Sequence, residues 1–119
     1  MLFRSDADRY RPDIDGSPVR ARYRLDGSIV LGFIGTFGPW HGAEMLAHAY
    51  VRLRALHPLQ ARRMHLLMIG AGARMAEVRR ILAEGAALEA TSFTGLVAQE
   101  DGPAHLAACD VLKIGRAHV

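Results

Sequence analysis

The sequence predicts an α/β fold, a parallel sheet with helices on its faces, and three observations carry that prediction. Apolar runs of strand length alternate along the chain with segments of helical periodicity. Glycine and proline punctuate the junctions between them. One run, HLLMIG, is apolar without alternation, as expected of a strand buried on both faces. Strand–helix alternation of this kind builds parallel sheets through helical crossovers.

The elements follow in order. YRPDIDGSPVRARYRL opens with turn chemistry and then a helix start, with Ser17 as N-cap and Pro18 at the first helical position, where a missing N–H costs nothing. SIVLGFIG reads as the first strand, closed by Gly35. After the loop GTFGPWHG a helix is expected over about Ala43–Leu56, stopped by Pro58. Its buried stripe is expected to include Met45, Leu46, Ala49, Leu53 and Leu56, with Glu44, His48 and Arg52 on the other face. HLLMIG is the second strand, followed by the glycine turn GAGA. The next helix spans roughly Arg74–Glu84, with Met75, Val78, Ile81 and Leu82 inward and Gly85 ending it in a left-handed cap. LEATSFTG forms a third, weaker strand, EDGPAHLAAC a short helix, and DVL the start of a fourth strand. The expected result is a Rossmann-like, incomplete half-sheet of about four strands.

The two ends stand apart from this pattern. IGRAHV is what the DNA string ATC GGA AGA GCA CAC GTC encodes, which resembles a sequencing adapter read in frame. MLFRS matches GTG CTC TTC CGA TCT, which resembles the same adapter in reverse complement. Residues 1–5 and 113–119 are therefore set aside, leaving Asp6–Leu112 for fold reasoning. Residues 1–5 and 115–119 are expected to make few buried contacts. The chain has 15 basic and 12 acidic residues, a net charge of +3. Without Arg4, Lys113 and Arg116 the two signs balance, so net charge gives no support for nucleic-acid or membrane binding. No apolar run reaches the length of a membrane span, and the start lacks the apolar centre of a secretory signal. Cys109 is the only cysteine, which excludes a disulfide framework and a cysteine-based metal site; a reduced, buried thiol in the cytoplasm is expected.

Four stretches carry a family resemblance. DADRYRPD resembles an inter-domain stretch written N-G-V-D…F-x-P. GFIGTFGPWHGAEMLAHAY resembles a strand–loop–helix signature G-x-x-x-x-x-K-G, here reading W-H-G. HLLMIGAGARMAEVRRI resembles L-x-x-x-G-x-G…E-L, and TSFTGLVAQEDGPAHLAACDVL resembles v-x-F-x-G-x-V…vP-x-y-L-a-a-a-D-v. In this order they resemble the donor-binding domain of a group 1 glycosyltransferase (glycosyltransferase family 4, GT-B fold), over essentially all of residues 6–112. Residues 6–27 correspond to the inter-domain linker and a short helix, and 28–112 to the first part of the nucleotide-sugar domain.

The resemblance implies strand order 3-2-1-4 and a retaining transferase that moves a sugar from a nucleotide-diphosphate sugar to an acceptor. In such a sheet ligands sit beyond the carboxyl ends of the strands, where strand order reverses. Gly35, Thr36, Phe37, His41 and Gly42 are the expected donor and phosphate contacts, beside a helix N-terminus suited to anions. Gly70 and Gly72 shape the neighbouring loop, and Gly95, Leu96 and Val97 resemble the stretch that meets the nucleotide. The family commonly places Arg and Lys where this chain has Thr36 and His41. A histidine at neutral pH is only partly charged unless an anion raises its pKa, so if it faces the diphosphate, His41→Ala should weaken donor binding in a whole enzyme and His41→Lys preserve or strengthen it. The resemblance further implies an acceptor domain before Asp6 and a donor clamp of two glutamates beyond Leu112. No catalytic residue, metal or cofactor is expected here, the nucleotide sugar being a substrate. The chain alone is expected not to transfer sugar, and peripheral membrane association is reserved for the whole parent protein. No nucleic-acid partner is expected.

Other signals have plainer readings. Asp13-Ile14-Asp15 spells D-x-D, a metal motif of sugar transferases of another fold, but at a helix entrance it reads as turn and capping chemistry. Gly70-Ala71-Gly72 begins like a dinucleotide fingerprint, yet Met75 stands where the third glycine belongs, which leaves an NAD-type or non-catalytic nucleotide-binding module as the alternative. Phe37 and Trp40 either pack over a ligand or stiffen the loop beside Pro39. His57, His65 and His105 read as surface or strand-edge residues, Glu44 as a partner of His48, and Asp110 as a cap.

Overall fold

The computed structural model describes residues 14–35 and 42–114. The elements run α1 (Ser17–Arg22), β1 (Ile29–Ile34), α2 (Gly42–Leu56), α3 (Pro58–Ala61), β2 (Met64–Ile69), α4 (Met75–Glu84), β3 (Thr91–Gly95), α5 (Gly102–Ala107) and β4 (Val111–Ile114). Single 3-10 turns at Leu88–Ala90 and Gln99–Asp101 lead into β3 and α5. The four strands form one parallel sheet in the order β3-β2-β1-β4. This is the α/β class expected from the sequence and the strand order that the resemblance implies.

The sheet is buried on both faces by strand alternation. Leu66 and Met68 of β2 join Phe33 of β1 beneath α2 and α4, where Tyr50, Val78, Ile81 and Leu82 complete the core. Leu67 and Ile69, with Val30, point to the opposite face and pack on Val19, Leu25 and Ala108. Burying each large apolar side chain is worth about 1.5–3 kcal/mol, so the continuous apolar run of β2 anchors both layers. Tyr50 is 1% exposed and donates a 3.0 Å hydrogen bond to the Met64 carbonyl, which fixes α2 against the start of β2. β4 pairs with β1 from Leu31↔Val111 to Ile34↔Ile114, so it runs two residues past Leu112.

Several expectations are corrected. The α2 stripe is turned: Ala43, Glu44, Ala47 and Tyr50 face inward, whereas Met45, Ala49 and Leu56 are exposed and Leu53 and Leu46 half-buried. Packing on the sheet and on α4 is the reason: the Tyr50 hydroxyl reaches the Met64 carbonyl beneath α2, and Val51 lies so close to the α4 terminus that a Cβ on Gly85 would collide with it. Ser17 is the first residue of α1 rather than its cap; its N–H donates to Asp15 Oδ1 at 2.9 Å, so Asp15 makes the entry turn. Gly85 has φ −89°, and the left-handed residue that ends α4 is Ala86 at φ 57°. Hydrogen bonds from Ala87 to Leu82 and from Ala86 to Ala83 complete a Schellman cap there, with Ala87 buried. Pro58 does more than stop α2: it opens the short α3.

His105 is buried, with Nδ1 2.8 Å from the Asp101 carbonyl and its ring tilted against Tyr23, and so is not a surface residue. His65 lies on an interior strand, half-buried, with Nε2 2.8 Å from Ser92 Oγ, and burial pushes its pKa down. Asp110 caps no helix of its own. One of its oxygens accepts from the Val30 N–H at 2.7 Å and from Arg20 at 2.8 Å, pinning α1, β1 and the entry of β4 together. Cys109 is half-buried, and its thiol donates to the His105 carbonyl. The terminal residues 1–5 and 115–119 lie outside the described residues.

Candidate functional site at the carboxyl edge of the sheet

Parallel strands bring all their carboxyl ends to one edge, and the glycines close three of them. The Gly35 N–H donates to the Ile69 carbonyl at 3.3 Å and the Gly70 N–H to the Gly95 carbonyl at 3.1 Å. Gly70 adopts φ +123°, and a Cβ there would fall inside contact distance of the Gly35 carbonyl oxygen. Glycine is therefore required by both conformation and space, and the ends of β1, β2 and β3 meet backbone to backbone. Thr94 Oγ1 sits beside this row and donates to the Gly95 carbonyl at 2.8 Å.

A cavity of about 210 Å³ opens next to the row, bordered by Gly35, Gly70, Leu96, Val97, Gln99 and Gly102. It lies over the ends of β1 and β2, beneath the connection from β3 to α5. Of the residues expected at a ligand, it gathers Gly35, Gly70, Leu96 and Val97, with Gly95 joined to them through its bridge to Gly70. Leu96 is 84% exposed at its rim. Gly72 is exposed and does not line the cavity. Gly42 opens α2, whose N-terminus follows β1 and lies at the same edge. Thr36, Phe37 and His41 lie outside the described residues, as does Trp40.

Two features were not legible in the sequence. Gln99 lines the cavity because the turn Gln99–Asp101 folds back over the sheet, and no local signal marks that return. Glu44, expected on the outer face of its helix, is 7% exposed and held by Arg74, with Nε to Oε1 at 3.2 Å and Nη2 to Oε2 at 2.6 Å. This pair joins the first turn of α2 to the loop after β2. Among the described residues no three His, Cys, Asp or Glu side chains gather as a metal site would require, and no helix is long and apolar enough to cross a membrane. A larger cavity of about 500 Å³, edged by Val51, Arg54, Arg62 and Gly85, lies at the opposite end of the sheet.

Known proteins with this pattern are consistent in kind. The chain is 37% identical over 81 residues to the D-inositol 3-phosphate glycosyltransferase of Stackebrandtia nassauensis, covering 58% of this chain and 18% of that protein. It is 32% identical over 110 residues to the GDP-mannose-dependent alpha-(1-6)-phosphatidylinositol monomannoside mannosyltransferase of Mycolicibacterium smegmatis, covering 92% of this chain and 28% of the relative. The chain thus spans less than a third of the length of these curated relatives. Among solved structures, Anabaena HepE in complex with UDP and glucose superposes with a TM-score of 0.70 at 22% identity, over 88% of this chain and 28% of that one. The C-terminal domain of the group 1 glycosyl transferase LpcC from Francisella tularensis gives 0.70 at 14% identity, over 89% of this chain and 55% of that one. At such identities the superpositions establish the fold. The family model for glycosyl transferases group 1 matches residues 28–114, and the chain belongs to that family.

Proposed function

We propose that this chain forms part of the donor-binding half of a cytoplasmic, retaining glycosyltransferase, which transfers a sugar from a nucleotide-diphosphate sugar to an acceptor. The observation that carries the reading is the cavity framed by Gly35, Gly70, Leu96 and Val97 at the carboxyl edge of a 3-2-1-4 sheet, in a chain of this family. The N-terminus of α2 suits a diphosphate, and a shallow apolar wall at Leu96–Val97 suits a flat base. One relative is named GDP-mannose-dependent and a structural neighbour holds UDP with glucose, so the shared chemistry is a nucleoside diphosphate carrying a hexose. The donor acts as substrate, with no cofactor or metal in the reading, and the family resemblance assigns the phosphate contacts to Thr36, Phe37, His41 and Gly42.

Transfer itself needs an acceptor oriented against the donor, because positioning supplies much of the catalysis in two-substrate reactions. Sugar transfer therefore belongs to the whole protein, and the chain is tested for binding. Amide chemical shifts of the labelled chain titrated with UDP, GDP and NAD give the measurement. UDP or GDP should move the amides of Gly35, Gly70 and Gly95–Gln99 at millimolar concentration. A response to NAD alone would favour the dinucleotide-binding alternative, and no response to either diphosphate would refute the donor reading.

A further inference from the structure

We propose that His105 is a positioning residue that holds the turn Gln99–Asp101 over the carboxyl-edge cavity from behind, which rests on that cavity being the nucleotide site. Leu96–Gln99 and Gly102 form one wall of the cavity. The two ends of this wall are fastened differently. Val97 is half-buried and packs against the apolar cluster that includes Val19 and Ala108. Beyond it Ala98, Gln99 and Glu100 are exposed, and the Asp101 N–H closes the turn on the Ala98 carbonyl at 2.9 Å. Neither the turn nor α5 gains a hydrogen bond from the side chain of its N-cap residue, and Pro103 has no N–H to offer. The far end of the wall is tied instead by His105, whose Nδ1 lies 2.8 Å from the Asp101 carbonyl.

A carbonyl oxygen accepts and cannot donate, so in the neutral ring Nδ1 carries the proton and Nε2 is left as an acceptor. The ring is also held in place. His105 is 6% exposed, its ring centroid stands 6.3 Å from that of Tyr23 just after α1, and the Cys109 thiol donates to its carbonyl. His105 does not line the ligand cavity. It borders a separate hollow of about 230 Å³ between α1 and α5, with Pro18, Val19 and Arg22. It therefore acts on a nucleotide only through Asp101 and the turn. An apolar side chain would fill a buried site of this kind without needing a partner, whereas a buried imidazole requires one. The partner it has is the last carbonyl of the turn that carries Gln99.

The test compares His105→Phe, which keeps a ring on Tyr23 and removes the donor, with His105→Asn, which keeps a donor at the place of Nδ1 and removes the ring. Thermal melts of the full chain are set beside titrations with UDP and GDP followed by amide shifts. The Phe variant should melt higher than the Asn variant, yet bind the tighter nucleotide about three- to tenfold more weakly than the original chain, as one lost hydrogen bond allows. The Asn variant should bind within about twofold of the original. Binding that follows the melting temperature instead would overturn the proposal, because packing alone gives that order. Hydrogen exchange reads the fastening without nucleotide: the Asp101 amide should exchange about tenfold faster in the Phe variant than in the original or the Asn variant. Equal rates would overturn the proposal. If neither nucleotide binds the original chain, the nucleotide reading fails by itself, and exchange still decides whether His105 holds the turn. Long-range nitrogen–proton spectra of the original chain at pH 8 should show the Nδ1–H tautomer at His105. The Nε2–H tautomer would overturn the proposal whatever the variants do.

Discussion

Arg74 grips Glu44 with two nitrogens, joining the loop after β2 to the first turn of α2 from thirty residues away. An acidic residue in a first turn is favoured by the helix dipole, and here it is buried with the guanidinium laid across it. The Glu44 carboxylate, by hydrogen bond first, raises the Arg74 pKa further, so the guanidinium stays charged at every working pH. Arg74→Ala should lower the urea midpoint with an unchanged slope, and Arg74→Lys should lower it less, since it keeps charge but loses the fork. A double-mutant cycle with Glu44→Gln reads the coupling, and additive effects would show that the contact contributes nothing.

Gly70 and Gly95 separate two meanings of a glycine at the same edge. At Gly95, φ is +71° and a Cβ meets open space, so Gly95→Ala should cost about 1–2 kcal/mol, the left-handed penalty alone. At Gly70 the Cβ also strikes the Gly35 carbonyl, so Gly70→Ala should cost more and displace the β1 and β2 ends. Thermal melts and the amide shifts of Gly35 measure both. Equal costs for the two variants would contradict the close approach.

Asp110 makes acid stability specific. The Val30 N–H, and then Arg20, hold its carboxyl below the usual value of 3.8. A depressed folded pKa adds stability that is fully present above the unfolded value and is lost as pH falls through the folded one. Asp110→Asn should therefore be less stable at pH 7, by under about 1 kcal/mol because the side chain is half in solvent. The gap should close below about pH 4, whereas a gap constant from pH 7 to pH 2 would place the effect in packing instead.

Cys109 should be slow to react. Burial, and then the Asp110 charge, push its thiol up to about 11, so almost no thiolate exists at pH 8. Iodoacetamide labelling of the folded chain should lag well behind that of the urea-unfolded chain. Equal rates would show that the α5–β4 junction opens freely.

β1 and β2 were legible because each is short, apolar and closed by glycine, and β2, buried on both faces, needs no partner to be recognised, whereas β3 carries Thr91, Ser92 and Thr94 and Lys113 interrupts β4. Val78, Ile81 and Leu82 of α4 were legible too, because only one side of that helix is apolar. α2 is apolar on two sides, and its own sequence does not say which side is inward. Tertiary packing chose Ala43, Ala47 and Tyr50, which join the core over β1 and β2, where the Tyr50 hydroxyl reaches the Met64 carbonyl. The same holds for the site. Gly35, Gly70, Gly95 and Val97 announce themselves through turns and motifs, whereas Gln99 lines the cavity and Arg74 reaches Glu44 only after the chain has returned across the sheet. Periodicity and turn chemistry are local and were written in the sequence. Which of two apolar faces is buried, and which distant charges meet, depends on contacts between elements that no single segment encodes.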